Sequence, residues 1–165
     1  IYSFVDAFTA HRKTAADYRA LAQRNLRRVY IGLESGDDGL LRFLRKGSLA
    51  EDIVGAVTAI KQGGVDVGVI LMLGVGGHRF ASDHVQHSSE ALNAMALGER
   101  DIIYFSPFMG YPGSEYSRLA AELAVRPLTG EEMDDQMAAI RSGLVFRDPT
   151  RLPRIAVYDI REFIY

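Results

Sequence analysis

The 165-residue sequence contains no cysteine. It therefore excludes disulfide bonds, thiolate nucleophiles and any iron–sulfur or zinc site whose ligands are thiolates of this chain. The net charge is only −2, so the chain has no large positive electrostatic potential that would attract nucleic acid or an anionic membrane. No stretch approaches the ~18 consecutive apolar residues of a membrane span, and the first residues lack the pattern of a signal peptide. We therefore expect a cytoplasmic protein.

The rest of the composition is that of a globular protein. Apolar residues make up 48% of the sequence and charged residues 24%. Apolar runs of strand length alternate with segments of helical periodicity. This alternation predicts an α/β fold, a partial parallel (β/α) barrel of about four strands. We place this domain at residues 1–146 and treat residues 147–165 as a C-terminal extension docked on it.

The segment of residues 28–47 shows the pattern most clearly. Residues 29–33 are apolar or glycine and predict a buried strand. After a polar pair, we expect Gly36 to turn the chain with a positive φ. Asp37 is then expected to start a helix as its N-cap, and Gly47 to end that helix as its C-cap. This strand–turn–helix unit predicts a ligand at the carboxyl end of the strand.

The other elements follow from the same reasoning. Three further apolar runs predict strands at residues 1–8, 65–73 and 101–105. Helices are predicted at residues 9–27, 37–46, 48–62, 82–97, 115–123 and 129–142, with Ser48 capping the third of them. The nearly continuous apolar run of residues 65–73 indicates a parallel strand buried on both faces.

Polar residues and glycines follow the predicted strands. They are Asp6 near the end of the first strand, Glu34 and Ser35 after the second, residues 74–77 after the third and Ser106 after the fourth. The carboxyl ends of parallel strands meet at one edge, where α/β proteins bind ligands. Glu34 can bind a ligand there, or it can cap a helix or pair with a basic residue. Both interpretations stay open.

The histidines carry weaker signals. His84 and His87 lie three residues apart on a helix, but no third metal ligand stands near them, so packing or surface roles are favoured. His78 follows the glycine turn and can contact a ligand or pack in the loop. The glycines at residues 74–77 do not match the spacing of a phosphate-binding loop. The sequence therefore indicates no metal ligands.

Three elements in the same order resemble radical S-adenosylmethionine (radical SAM) enzymes. Residues 29–36, with the helix that ends at Arg45-Lys46-Gly47, resemble the region of the family's fourth strand. Residues 65–77 resemble its fifth strand and the glycine-rich exit. Residues 101–114, with Ser106-Pro107 and Pro112-Gly113-Ser114, resemble its sixth strand and loop.

In that family a partial (β/α)6 barrel binds a [4Fe-4S] cluster through a CxxxCxxC loop, and the cluster reductively cleaves S-adenosylmethionine. This sequence has no such loop. The resemblance therefore implies that residues 1–8 are the third strand and that the cluster loop lies upstream. We expect the chain to be the carboxyl-terminal half of the barrel domain, inactive alone, with S-adenosylmethionine and the cluster belonging to the parent protein.

The resemblance assigns cofactor-binding positions to Glu34, Ser35, Lys46, Gly74, Gly76 and Ser106. Glu34 and Ser35 would lie near the ribose or the amino acid end of the cofactor. Lys46 or Arg45 would bind the methionyl carboxylate. Gly74 and its neighbours would let backbone groups meet the adenine, and Ser106 would face the substrate or the nucleoside.

The sequence departs from the looser family pattern at Val75, where a proline is frequent, and at His78, where a smaller polar residue is common. Half a barrel leaves strand edges unpaired, so we expect a homodimer through them. The alternative function is a non-catalytic α/β binding or scaffold domain. A complete-barrel hydrolase or lyase is disfavoured because such a barrel typically needs ~250 residues. The substrate stays open.

Overall fold

The computed structural model describes residues 1–10 and 12–158. Its centre is one parallel sheet whose strands follow one another in chain order. The strands are β1 (Tyr2–Val5), β2 (Arg28–Glu34), β3 (Asp66–Leu73), β4 (Ile102–Pro107) and β5 (Arg154–Val157). Since all neighbours are parallel, the carboxyl ends of all these strands lie at the same edge of the sheet.

Helices connect the strands and cover one face of the sheet. They are α1 (Ala7–Ala10), α2 (Ala15–Gln23), α3 (Asp38–Phe43), α4 (Ala50–Gln62), α5 (Gly77–Ala94), α6 (Glu115–Glu122) and α7 (Gly130–Ser142). Within this layer α4 packs against α2 and α5, and α5 packs against α7. The core lies between this layer and the sheet, and its strand residues include Ile31, Val69 and Phe105, all fully buried.

The opposite face of the sheet is only partly covered. Along β2, buried residues alternate with half-buried ones, which is the pattern of a strand with one packed face. Tyr30 and Tyr104 lie on the open face with their ring centroids 6.0 Å apart. They meet above Gly68, where a Cβ would overlap the Tyr30 ring. The expectation that β3 is buried on both faces is therefore wrong for Ile70 and Met72, which are half-buried.

The predicted α/β architecture, a partial parallel (β/α) barrel, is confirmed, and the structure shows that the sheet does not close. The structure adds a fifth strand, because residues 154–157 of the predicted extension pair with β4, with Ile155 opposite Ile103. Residues 159–165 of that extension lie outside the described residues. Within the described part of the chain, no helix combines the length and the apolar character needed to cross a membrane.

The turn after β2 differs from its prediction in one respect. Asp37 is the N-cap of α3, as predicted, and its carboxylate accepts hydrogen bonds from the Gly39 and Leu40 N–H groups. The positive φ falls on Glu34 (φ 59°) and not on Gly36. Gly36 is needed for another reason, because a Cβ there would overlap the backbone of α5.

Among the helices, the caps or ends of α3, α4 and α5 also differ from their predictions. The C-cap of α3 is Leu44 and not Gly47, and the next residue, Arg45, is in the left-handed conformation (φ 54°). The N-cap of α4 is Leu49, not Ser48, and its N–H donates to the Asp52 carboxylate at 2.9 Å. The helix α5 begins at Gly77, not residue 82, since Gly76 caps it with φ 78°.

Candidate functional site

The carboxyl edge of the sheet carries an ion pair between the end of β2 and the end of α3. Lys46 Nζ lies 2.9 Å from Glu34 Oε1. The Glu34 side chain is 17% exposed and that of Lys46 is 43% exposed, so both reach the surface. Glycine at position 32 makes this possible, because a Cβ there would stand 2.8 Å from Glu34 Oε1. The Glu34 carboxylate therefore lies back over its own strand.

The ion pair stands at a cavity of about 230 Å³ between the ends of β1 and β2 and the helices α3 and α4. Its polar lining is Asp6, Glu34, Lys46 and Ser48, and its apolar lining includes Leu33, Leu41 and Ile53. Two carboxylates can accept hydrogen bonds from hydroxyl or ammonium groups, and one ammonium can donate to a carboxylate. This set suits a small polar or zwitterionic group.

Glu34 occupies a strained backbone position. It is the middle residue of a three-residue turn closed by a hydrogen bond from the Ser35 N–H to the Leu33 carbonyl, 2.6 Å long. A turn of this kind with positive φ is rare. A non-glycine residue held there costs on the order of 1–3 kcal/mol, and such strain clusters at functional sites. The register of β2 on β3 also shifts between Gly32 and Glu34.

The residue after Glu34 is buried. Ser35 is fully buried, and its Oγ lies 2.8 Å from His84 Nδ1 and accepts the Asp37 N–H at 3.0 Å. The Gly36 N–H donates to Ser88 Oγ at 2.9 Å. Burial lowers the pKa of His84 to about 4, against the opposing effects of the Met72 backbone and the Asp37 carboxylate, so its imidazole is neutral at pH 7. Ser35 is thus buried below the surface of the carboxyl edge, where it contacts α5.

The glycines after β3 contact other parts of the same chain. The Gly74 N–H donates to Gln136 Oε1 at 2.8 Å, and the Gly76 N–H donates to the Tyr116 hydroxyl at 3.0 Å. Both glycines have φ near 78°. A Cβ at Gly74 would stand 2.6 Å from Met133 Sδ. Their geometry therefore packs the turn against α6 and α7, and the predicted adenine contact stays a prediction.

The remaining predicted positions spread along the same edge. Ser106 is half-buried on β4, which continues to Pro107 instead of ending at residue 105. Arg45 forms an ion pair with Glu115, so Lys46 is the cation at the cavity. His78 Nε2 lies 3.1 Å from Glu132 Oε1. The parallel register thus gives Glu34, Gly74 and Ser106 a common edge, with Glu34 and Lys46 in direct contact.

Within residues 1–10 and 12–158, histidine, aspartate and glutamate side chains form no group of three that could hold a metal ion. His84 is fully buried, and His87 Nδ1 lies 3.7 Å from Asp37 Oδ1. The two histidines therefore do not share a site.

Sequence reasoning missed three residues that shape this edge. The sequence favours a packing or surface role for His84 and does not show its contact with Ser35 in the loop after β2. Gln136 lies on the apolar stripe of α7 that contains Met133 and Ile140, so a polar residue at that position was a usable signal. Tyr116 gave none, since its partner Gly76 lies 40 residues away in sequence.

Comparison with known proteins bears on the fold. No family model matches the sequence, and no curated protein matches it. Among solved structures, the archaeal Methanocaldococcus infernus Elp3 with an N-terminal deletion (1–46) superposes with a TM-score of 0.69 at 15% identity. The two chains therefore share the parallel α/β fold described above. The match covers 95% of this chain but only 38% of the Elp3 chain, so this chain spans well under half of that protein's length.

Proposed function

We propose that this chain is the part of a radical SAM enzyme that binds the polar end of S-adenosylmethionine. The Glu34–Lys46 pair at the cavity of the carboxyl edge carries the proposal. The Lys46 ammonium would donate to the methionyl carboxylate, and Glu34 would accept from the ribose hydroxyls or the ammonium group. The bound cofactor would supply a sulfonium for reductive cleavage. The chain's own residues would hold and orient its polar groups.

The cluster itself does not fit this chain. A [4Fe-4S] cluster is held mainly by cysteine thiolates, and the sequence contains no cysteine. We therefore place the cluster outside these residues and derive no step through it. In this proposal the chain alone does not cleave S-adenosylmethionine, and it binds the cofactor weakly because part of the site is supplied elsewhere.

One observation favours a second function, a non-catalytic binding or scaffold domain. The amides of Gly74 and Gly76, which an adenine contact would use, already donate to Gln136 and Tyr116. Glu34 and Lys46 likewise satisfy one another. Because these polar groups at the carboxyl edge of the sheet already form hydrogen bonds within the chain, a ligand is not required to satisfy them.

Titration of the ¹⁵N-labelled chain with S-adenosylmethionine separates the two functions. The radical SAM proposal predicts shifts confined to Glu34, Lys46 and their neighbours, with a Kd of about 1 mM or weaker. Lys46→Gln removes one charge-assisted hydrogen bond and weakens binding about tenfold. Lys13→Gln, which removes an exposed cation away from this cavity, leaves it unchanged.

Two results would contradict the proposal. Shifts absent from the carboxyl edge at saturating cofactor would favour the scaffold function. Tight binding of the cofactor by the isolated chain, measured by calorimetry, would show that the site is complete without a cluster.

A further inference from the structure

Glu34, whose carboxylate pairs with Lys46, has a left-handed backbone. This φ of 59° lies in a turn that the Ser35 N–H closes onto the Leu33 carbonyl. Glutamate has no intrinsic preference for such a conformation, so the surrounding structure must impose it. The residues that hold the chain immediately after Glu34 can impose it.

Those residues are held by side chains of α5. Ser35 Oγ accepts the Asp37 N–H and lies 2.8 Å from His84 Nδ1, to which it can donate its single proton when Nδ1 is the unprotonated nitrogen of the imidazole. Ser88, one turn further along α5, accepts the Gly36 N–H at 2.9 Å and lies 3.4 Å from the same imidazole nitrogen. His84, Ser35 and Ser88 are all fully buried. Water therefore does not compete for these bonds.

The backbone of α5 contributes to the same junction. A Cβ at Gly36 would overlap the His87 carbonyl, so the loop and the helix touch through their main chains. The next residue, Asp37, caps α3, and α3 leads to Lys46. Both partners of the ion pair thus extend from one short loop, with Glu34 on one side of it and the helix that leads to Lys46 on the other.

We propose that His84 is a positioning residue, which through Ser35 holds Glu34 in the left-handed turn that directs its carboxylate to Lys46. The use of that carboxylate for a cofactor rests on the proposed function, but the geometry does not. A buried histidine that merely fills space could be replaced by any side chain that keeps the helix packed. A positioning histidine requires a hydrogen-bond acceptor at the place of Nδ1.

The test compares two replacements of His84. His84→Asn can place its amide oxygen near the position of Nδ1, whereas His84→Leu fills the space without an acceptor. Both lose stability, but only the leucine variant should lose the turn. The readout is the strong intraresidue HN–Hα nuclear Overhauser effect (NOE) that a positive φ gives Glu34. We expect it in the wild type and in His84→Asn, and we expect its loss in His84→Leu.

Two further variants keep the test decisive. Ser35→Ala removes the linking hydroxyl and should also abolish the Glu34 signal, which covers the case in which His84→Leu does not fold. Ser89→Ala removes a different buried hydroxyl of α5, which donates to the Val85 and Ile140 carbonyls, and should leave the signal intact. A folded Ser35→Ala or His84→Leu protein with the wild-type Glu34 signal would overturn the proposal.

The same samples separate this inference from the function. Cofactor added to the wild type and to His84→Leu should shift the Lys46 resonances only in the wild type. If cofactor shifts neither protein while the Glu34 signal still depends on the acceptor at position 84, the positioning role stands and the cofactor function falls.

Discussion

As the pH falls, His84 should lower the free energy of unfolding before protonation of the carboxylates does. The residue is fully buried, and burial lowers its pKa from 6.5 to about 4. In the unfolded chain it takes up a proton as the pH falls below about 6.5, whereas in the folded protein it stays neutral until about pH 4. The unfolded state therefore binds more protons across this interval, and stability falls as the pH is lowered through it.

The size of the effect follows from the displacement of the pKa. One pKa unit corresponds to about 1.4 kcal/mol, so the free energy of unfolding should fall by about 3 kcal/mol between pH 7 and pH 4 on account of His84 alone. Hydrogen bonds lower the pKa values of four carboxyl groups at the surface, so these groups reduce stability only under more acid conditions. These groups are Asp17, Glu99, Glu132 and Asp148.

Urea unfolding at a series of pH values from 7.5 to 4.5 measures this slope. The wild type and His87→Gln, which removes a partly exposed histidine of the same helix, should show it. His84→Asn should show a flatter profile, because asparagine does not titrate. An equal slope in His84→Asn and the wild type, or a flat wild-type profile, would refute the reasoning.

Two other predictions concern the open face of the sheet and its edge. Gly68→Ala should lower the free energy of unfolding by about 1–3 kcal/mol because the new Cβ overlaps the Tyr30 ring. Gly55→Ala, on a helix with open space around it, should raise the free energy of unfolding by up to about 1 kcal/mol. Urea unfolding of both variants measures these changes. We also propose that the chain forms a homodimer through β1, where Phe4 is 74% exposed and the strand carries no charged residue. Light scattering should show a dimer that Phe4→Lys converts to a monomer, and a monomeric wild type would contradict the proposal.

Much of the fold was readable from local pattern. The apolar runs predicted four of the strands, and Asp37, Ser114 and Thr129 cap helices where the sequence placed helix starts. These predictions succeeded because strand burial and N-capping depend on neighbouring residues in the chain. The strand at residues 154–157 was missed because it is four residues long, follows two prolines and is stabilised by pairing with β4.

The candidate site divides in the same way. The sequence placed Glu34 and Lys46 at the ends of a strand and a helix, but it did not show that they form an ion pair. It assigned the positive φ to Gly36 because glycine adopts that conformation most easily. In the structure Gly36 is required because a side chain there would overlap α5, and the residue with the left-handed conformation is Glu34. Long-range packing overrode local preference.

The sequence by itself determined the alternation of strands and helices and the polar residues at the strand ends, since periodicity and capping are properties of short segments. Only the tertiary structure decided which polar groups meet. The contacts of Ser35 with His84, Gly74 with Gln136 and Gly76 with Tyr116 join residues 40 to 62 positions apart. Contacts of that kind depend on how α5, α6 and α7 pack beside the sheet, and no local pattern records it.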